Sequence, residues 1–229
     1  MQSASLFAHV SIYKDDENRH FPSLFSSFFD KIFFMNPTDE LLFSAFRQLL
    51  DEKPYKKITV RDIVDRCHVN RNTFYYHFEG IPDLMDHYLA YWSREILLKT
   101  ETSEDPLLAL IPAAEEIKEH RTAVLHISDS RAWPDVLRHL ELLCGQLSSR
   151  YVKAAAAGAA ALNGAANQDA PPLSEEDCTV LVRFYRSVLY GCILSWLKAD
   201  MSYDLPSDLL RISRLIRRSR SGSGAQAGS

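Results

Sequence analysis

Apolar residues recur along this chain at the three- and four-residue spacing of α-helices. The first clear example follows Asn36, which can cap a helix, and Pro37, which suits a first helical turn. No segment alternates apolar and polar residues like a half-buried strand, so the pattern predicts an all-α fold. The buried stripe predicted for this first helix is Leu41, Leu42, Ala45, Phe46, Leu49 and Leu50.

Two short helices with a three-residue turn between them follow this first helix. Thr59 and Asp62 have the spacing of a capping box at the start of one, and Asn70 is a good cap for the other, Arg71–Phe78. A longer helix is predicted from Ile81 onward. Two short helices joined by a tight turn predict a helix-turn-helix, whose second helix enters the major groove of DNA.

The second half of the chain is also helical in pattern. Helices are predicted between residues 106 and 151, from 174 to 198, and from about 206 to 217. Residues 154–172 are rich in Ala with interspersed Gly and Asn, which predicts a mobile linker. The tail at 219–229 has the composition of a disordered segment.

The most apolar stretch of the chain, residues 21–35, precedes the first clear helix. Pro22, Asp30 and Lys31 interrupt it, it is too short to span a bilayer, and it lacks the basic region and cleavage site of a signal peptide. A helix lying on a membrane surface is an alternative, but its polar face would not be basic. We therefore predict a poorly ordered extension at residues 1–35, a cytoplasmic protein, and no membrane partner.

Composition narrows the class of protein further. The 229 residues are 46% hydrophobic and carry a net charge of −4, so any nucleic-acid surface must be a local patch rather than a global field. The four cysteines show neither C-x-x-C pairs nor metal spacing, which indicates a reducing compartment rather than a disulfide scaffold or a zinc finger.

A local excess of positive charge coincides with the helix-turn-helix. Residues 53–77 hold six Lys and Arg, among them Arg61, against two Asp, a net charge of +4. Such a patch attracts phosphates, while Asn, Arg and Thr can read base edges and Tyr and His can bind phosphate oxygens. The polar side chains of the predicted recognition helix are Asn70, Arg71, Asn72, Thr73, Tyr75, Tyr76 and His77.

The stretch ITVRDIVDRCHVNRNTFYYHFEGIPDL resembles the DNA-binding domain of the TetR family of bacterial transcriptional regulators. Its T-F-Y-x-H-F sequence at residues 73–78 is a specific signal. The resemblance implies a three-helix DNA-binding domain at residues 36–96, with the helix-turn-helix motif at about 59–78. It also implies a helical regulatory and dimerisation domain at residues 97–218.

The resemblance implies a role for each polar side chain of the motif. Thr59 would bind a phosphate at the start of the second helix, and Tyr76 and His77 would hold backbone phosphates. Tyr75 would lie at the groove wall. The residues that would face the groove are Asn70, Arg71, Asn72 and Thr73.

Two positions depart from the family pattern. Many members have Gly at the position of Asn72, and many have a phosphate-binding Lys at the position of Ile81. The change at Ile81 leaves open an alternative function, a helical protein-interaction adaptor that has lost specific DNA binding.

The sequence therefore predicts a homodimeric transcriptional repressor that binds a palindromic operator in double-stranded DNA. Two recognition helices about 34–36 Å apart would read successive major grooves, which one short helix cannot do. The resemblance suggests a four-helix dimer interface, with candidates at residues 132–152 and 175–198, where Ser187 and Gly191 would permit close approach. It is compatible with release by a small-molecule effector, which no sequence feature identifies.

We expect neither catalysis nor a bound cofactor or metal. The spacings of His120, His126 and Asp129 do not place all three on one helical face as metal ligands. His126, Ser128 and Asp129 lack the nucleophile elbow or glycine motif of a hydrolase. Arginines at residues 211–220 indicate a solvated helix end rather than a DNA contact.

Overall fold

The computed structural model describes residues 36–100, 105–163 and 173–223. These residues form ten α-helices and one 3-10 turn with no strand among them, which confirms the predicted all-α fold. The predicted extension at residues 1–35 lies outside the described residues. The helices are α1 (Pro37–Glu52), α2 (Val60–Cys67), α3 (Arg71–His77), α4 (Ile81–Lys99), α5 (Pro106–Ala109), α6 (Ile111–Glu119), α7 (Arg121–Ser128), α8 (Trp133–Asn163), α9 (Glu175–Lys198) and α10 (Leu205–Ser223).

Helix α1 begins with a capping box and buries a stripe close to the predicted one. The Asn36 side chain accepts hydrogen bonds from the first-turn backbone, and the Asp39 carboxylate accepts one from the Asn36 N–H. The stripe prediction was wrong at Leu41, which is 53% exposed, whereas Phe43 is buried. Phe43 is drawn inward because its ring stacks on Tyr91, with 5.4 Å between the ring centroids.

The turn between α2 and α3 closes through one left-handed residue. His68 takes φ 56° and ψ 35° at the end of α2, and the Val69 N–H then donates to the Val64 carbonyl. The Asn70 side chain caps α3 directly afterwards. This short connection fixes α3 against α2, as the three-residue turn in the sequence predicts.

Two hydrophobic cores share helix α4. Its first half contributes Leu84 and Leu89 to a core built mainly by α1, α2 and α3, and its second half contributes Ile96 to a core of α5, α6, α8, α9 and α10. The predicted domain boundary between residues 96 and 97 therefore falls inside one continuous helix. A displacement of α4 relative to the second core would carry the first core with it.

The predicted Ala-rich linker is corrected in its first part, because residues 154–163 continue α8. Ala has the highest helix propensity, and the single Gly158 costs only about 1 kcal/mol within a long helix. The remainder, residues 164–172, lies outside the described residues. The predicted tail is corrected too, since α10 runs to Ser223; residues 224–229 lie outside the description.

Helix α7 and the residue that precedes it pack back onto α1. His120 Nε2 lies 2.8 Å from Arg47 on α1, and His126 Nδ1 lies 2.7 Å from the Leu50 carbonyl oxygen. Asp129 pairs with Lys56 at 3.4 Å. The side chains considered above as metal ligands or a catalytic set thus have separate partners, and the described residues contain no cluster suited to a metal ion.

An acidic residue of α4 connects this helix to α8. Asp86 Oδ1 lies 2.8 Å from Nε2 of the buried His139 and 3.0 Å from Arg138 Nη2. Both partners project from α8, the helix that packs most extensively against α9. The position of α4, and with it the first core, is therefore tied to the helix pair α8 and α9.

Helix α9 is long and apolar enough, by length and composition, to cross a membrane. Its buried residues Leu189, Ile193 and Trp196 pack in the second core, while Arg183 and Arg186 interrupt its middle. Only 22% of its most apolar stretch is buried within one chain. These features describe a helix with one face in the core and a second apolar face left uncovered.

Candidate nucleic-acid interface

Helix α3 has one face in the first core and the other in solvent. Phe74 is fully buried, and Phe78, directly after the helix, is also buried. Tyr76 is 86% exposed, and Arg71 and Asn72 are exposed as well. The helix therefore presents long polar side chains outward from a backbone that aromatic packing holds in place.

Arg71 is held along the outer surface of α3. Its Nη2 donates to the Tyr75 hydroxyl at 3.2 Å, and its guanidinium carbon lies 5.5 Å from the centre of the Tyr75 ring. It forms no ion pair with an acidic side chain in the described ranges. A guanidinium pre-positioned in this way retains donors for a guanine edge or a phosphate at a small loss of side-chain entropy.

Asn70 and Thr73 are less available for contact with DNA bases than the sequence predicts. Asn70 Oδ1 accepts the Asn72 backbone N–H at 2.8 Å, so this side chain caps the helix and keeps only its amide nitrogen as a donor. Thr73 is half-buried. Asn72, which is exposed and has no capping role, is the better candidate for contact with a base.

Both hydrogen-bond donors of Thr59 are engaged within the capping box of α2. Its hydroxyl and its backbone N–H donate to Asp62 Oδ2 at 2.7 and 2.8 Å, and the Asp62 N–H donates back to the hydroxyl. Lys53 Nζ also lies 2.8 Å from this carboxylate. A phosphate at Thr59 would compete with Asp62, so the predicted contact would require the capping box to open.

The hydrogen bonds from Lys53 and Thr59 lower the pKa of Asp62 from its ordinary value of 3.8 to about 2. A carboxyl group with a lowered pKa in the folded state stabilises the fold above its unfolded-state pKa. That contribution is lost as the pH falls through the folded-state value. The capping box is therefore intact at neutral pH and weakens only in strong acid.

We expect Asp62→Asn to lower the free energy of unfolding by about 1 kcal/mol at pH 7, the usual worth of a helix cap. The difference in the free energy of unfolding between this variant and the unmodified protein should stay constant above pH 3.8. It should become smaller as the pH falls toward about 2. Urea unfolding at several pH values measures it. Asp65→Asn is the control, since its exposed pair with Arg61 contributes little; an equal loss in both variants contradicts the prediction.

The cationic patch is smaller than the sequence count indicates. Arg66 forms a bidentate pair with Glu52, at 2.8 and 2.6 Å, and the pairs of Lys53 and Lys56 are described above. The cations that remain for phosphates are Lys57, which has no ion pair within the described part of the chain, together with Arg61 and Arg71. Arg61 pairs with Asp65 only loosely, at 3.4 Å with both side chains largely exposed.

His77 lies differently from its predicted place at a backbone phosphate. Its side chain is 12% exposed, and Nδ1 lies 2.8 Å from Asp39 Oδ1 in the first turn of α1. This nitrogen is therefore occupied by a carboxylate. The contact ties the end of α3 to the start of α1, so His77 is a positioning residue in this structure.

The nine predicted site residues fall into two groups by placement. Arg61, Arg71, Asn72, Tyr75 and Tyr76 project into solvent. The others serve the fold or are partly covered: Thr59, Asn70, Thr73 and His77. Capping signals in the sequence indicate the role of the first two, whereas nothing local indicates the pairing of His77.

Comparison with known proteins agrees with this geometry. Residues 42–88 match the family described as "Bacterial regulatory proteins, tetR family". No curated protein matches the chain. A solved structure titled "Dihydroxyacetone kinase operon activator DhaS" is similar with a TM-score of 0.55 and 14% identity, over 80% of this chain and 96% of that one. This likeness shows a shared fold.

A second solved structure is titled "Structural analysis of fatty acid degradation regulator FadR from Bacillus halodurans". It is 14% identical to this chain, with a TM-score of 0.48, over 80% of this chain and 95% of that one.

Proposed function

Because the chain belongs to the tetR family of bacterial regulatory proteins and carries the family's DNA-binding domain, we propose that it is a homodimeric repressor of transcription that binds a palindromic operator. The proposal rests mainly on one observation. Helix α3 exposes Arg71, Asn72 and Tyr76 on the side opposite the buried Phe74. This is the arrangement that a recognition helix needs to enter a major groove.

Ile81, which stands where many family members have a phosphate-binding Lys, has a packing role that is compatible with DNA binding. Ile81 is half-buried and packs against the first core, so its side chain contributes to packing at the start of α4. One phosphate contact fewer lowers the salt dependence of binding but does not remove the groove-facing residues. The adaptor alternative gains no support from this position.

Dimer formation is supported by one exposed stripe of α9. Val180, Phe184, Ser187 and Gly191 follow each other at helical spacing, and all four are exposed. A Cβ added at Gly191 would meet no atom within 4 Å, so this surface is open within one chain. Large apolar residues at one end and small residues at the other suit close packing of two α9 helices about a two-fold axis.

Repression follows from operator occupancy in this proposal. A dimer seated over a promoter excludes RNA polymerase by its volume alone. Transcription in vitro from a template with the bound site tests this part, because an added dimer should lower the transcript yield; an increased yield would make the protein an activator.

Release by a small molecule is the last part of the proposal. An apolar cavity of about 70 Å³ lies between the two cores, with Tyr88, Trp92 and Trp133 in its lining. An effector that binds better to a form with this cavity enlarged would shift the population toward displaced α4 helices. The recognition helices of the dimer would then no longer match the spacing of the operator.

Two variants of α3 test the proposed function. Arg71→Ala should reduce the discrimination between bases at one operator position. The free-energy difference between the preferred base and the others at that position should fall by about 1–3 kcal/mol. Tyr76→Ala should weaken binding to all sequences by a similar factor and leave the salt slope unchanged, because the uncharged tyrosine hydroxyl displaces no counterion. Fluorescence anisotropy on duplexes selected from a random pool by the full chain measures both effects.

Tyr203→Ala, a change to another exposed tyrosine remote from α3, is the matched control and should bind as the unmodified protein does. The selected duplexes should carry an inverted repeat. If the full chain selects no sequence, or if Arg71→Ala and Tyr76→Ala bind with unchanged affinity and specificity, the adaptor alternative replaces the repressor.

A further inference from the structure

A groove of about 370 Å³ opens between α1 and α4 and ends at α6. Its size is that of a small-molecule site rather than of a protein interface. Aromatic rings and charged side chains line it together. The charged residues are Glu40 and Arg47 from α1, Glu95 and Lys99 from α4, and Glu116 from α6.

The two cations of the groove are already engaged by groups of the protein. Lys99 Nζ lies 3.3 Å from Glu116 Oε2. Arg47 Nη1 donates to His120 Nε2 at 2.8 Å, and His120 Nδ1 in turn lies 3.5 Å from Asp51 Oδ2. Neither cation is therefore left to attract an anionic ligand.

The carboxylates of Glu40 and Glu95, by contrast, are unpaired. Neither forms an ion pair or a side-chain hydrogen bond with any residue that the structure describes. Burial raises the pKa of Tyr91, and the charges of Glu95 and Glu40 raise it further, while Arg94 and Arg47 act in the opposite direction. Two unpaired negative charges, one from α4 and one from α1, thus lie within electrostatic range of one aromatic ring.

An aromatic surface adjoins these carboxylates. Tyr91 stacks on Phe43 with 5.4 Å between the ring centroids, and Tyr88, Tyr91 and Trp92 are each partly exposed. The face of an aromatic ring attracts a cation that lies within about 6 Å of its centre. Unpaired carboxylates beside such rings favour an organic cation over an anion of the same size.

The groove adjoins the apolar cavity of about 70 Å³ described above. The two spaces share four lining residues, Arg47, Tyr88, Trp92 and Glu116. Behind these residues the lining of the cavity is mainly aliphatic. A ligand that fills both spaces needs a charged group for the groove and a short apolar chain for the cavity.

We propose that the groove and the cavity together bind an organic cation with a short apolar chain, whose charged group lies beside Glu40, Glu95 and Tyr91. Helix α1 packs in the first core and α6 in the second, so the ligand contacts both. It would bind best to one arrangement of the two cores and shift the population toward that arrangement. This regulatory consequence rests on the proposed function, whereas binding itself does not.

Calorimetric titration of the full chain with hexyltrimethylammonium, without DNA, tests the binding. We expect a dissociation constant below about 1 mM for this probe. Hexyl sulfate and hexanol have the same chain without the positive charge, and each should bind about tenfold more weakly. The proposal is overturned if hexyltrimethylammonium gives no binding heat, or if hexyl sulfate binds equally well.

Two substitutions locate the charged group of the ligand. Glu40→Gln and Glu95→Gln each remove one charge at nearly constant volume, and each should weaken hexyltrimethylammonium about fivefold without affecting hexanol. Both carboxylates are unpaired in the fold, so the urea midpoint should not change. Glu119→Gln is the matched control, because Glu119 is exposed on α6 outside the groove. Unchanged affinity in both groove variants would contradict the proposal.

Operator binding distinguishes a failure of this site from a failure of the proposed function. Hexyltrimethylammonium should lower the operator affinity of the unmodified protein, and Glu95→Gln should require a higher concentration for the same effect. A protein that binds the cation but keeps its operator affinity would confirm the site and contradict its regulatory role. A protein that binds no operator but still selects the cation would contradict the proposed function alone.

Discussion

Phe184→Asp is expected to convert the proposed dimer into a monomer of 26.1 kDa and to weaken binding to the proposed operator about 10²- to 10⁴-fold. Phe184 is 58% exposed within one chain and lies near the middle of the uncovered α9 stripe. A buried aromatic residue at the centre of an interface carries a large share of its binding free energy. A carboxylate there would face its own copy across the two-fold axis.

The loss of DNA affinity follows from the loss of the second recognition helix. In a dimer, binding of one α3 places the other at a high effective concentration over the adjacent half-site. A monomer has only the contacts of one seven-residue helix and its flanks. Its binding is therefore expected to approach the weak, salt-dependent affinity of non-specific complexes.

Sedimentation equilibrium gives the mass, and anisotropy with an operator duplex gives the affinity. Leu210→Asp is the matched control, because it makes the same kind of change at an exposed apolar residue of α10, outside the proposed interface. The control should retain the mass and the affinity of the unmodified protein. A dimeric Phe184→Asp protein with unaltered operator binding would place the interface elsewhere.

Local signals in the sequence were sufficient for the helices and their beginnings. Asn36, Thr59 and Asn70 are recognisable as caps, and in the structure each accepts a backbone N–H from the first turn of its helix. Such bonds involve residues two or three positions apart, so a short window of sequence contains both partners. The helix-turn-helix could be predicted for the same reason.

Ion pairs between distant positions could not be predicted in this way. Arg66 pairs with Glu52 and His77 with Asp39 only because α1 packs across α2 and α3. Counting charges in a window of sequence treats every Lys and Arg as available to DNA. The folded chain instead uses part of that charge to join its own helices, which leaves a smaller cationic surface beside α3.

The error over residues 154–163 has a different origin. Interspersed Gly and Asn and the missing apolar stripe predict a linker here, whereas the helix propensity of Ala favours a helix. A helix that has already been nucleated by packed residues such as Leu143 and Leu147 adds further residues without a new nucleation cost. Eight of these ten residues are Ala or Leu, so extension of α8 outweighs the single Gly158.

Phe74→Ala is expected to lower the free energy of unfolding of the DNA-binding domain by about 3–5 kcal/mol and to abolish specific operator binding. Phe74 is fully buried, and its ring lies 5.9 Å from that of Phe78, measured between centroids. Removing the ring leaves a cavity at the face by which α3 packs against the first core. A helix of seven residues cannot persist without that packing.

The neighbouring Tyr76 separates a loss of fold from a loss of contact. Tyr76→Ala removes an aromatic ring two positions along the same helix, but that ring is 86% exposed, so stability should change by less than about 0.5 kcal/mol. Phe74→Ala should therefore shift the urea midpoint and eliminate operator binding, whereas Tyr76→Ala should weaken binding alone. Phe74→Leu, which restores most of the lost volume, should recover most of the stability.

Circular dichroism during urea unfolding and anisotropy with the operator distinguish these results. Phe74 belongs to the first core and Trp196 to the second. Phe74→Ala should therefore make the first core unfold at a lower urea concentration than the second core. The contribution of the buried Trp196 to the fluorescence should then change last. A Phe74→Ala protein that unfolds at the original midpoint would show that α3 is held by something other than this core. The placement of the side chains proposed to read DNA would then lose its physical basis.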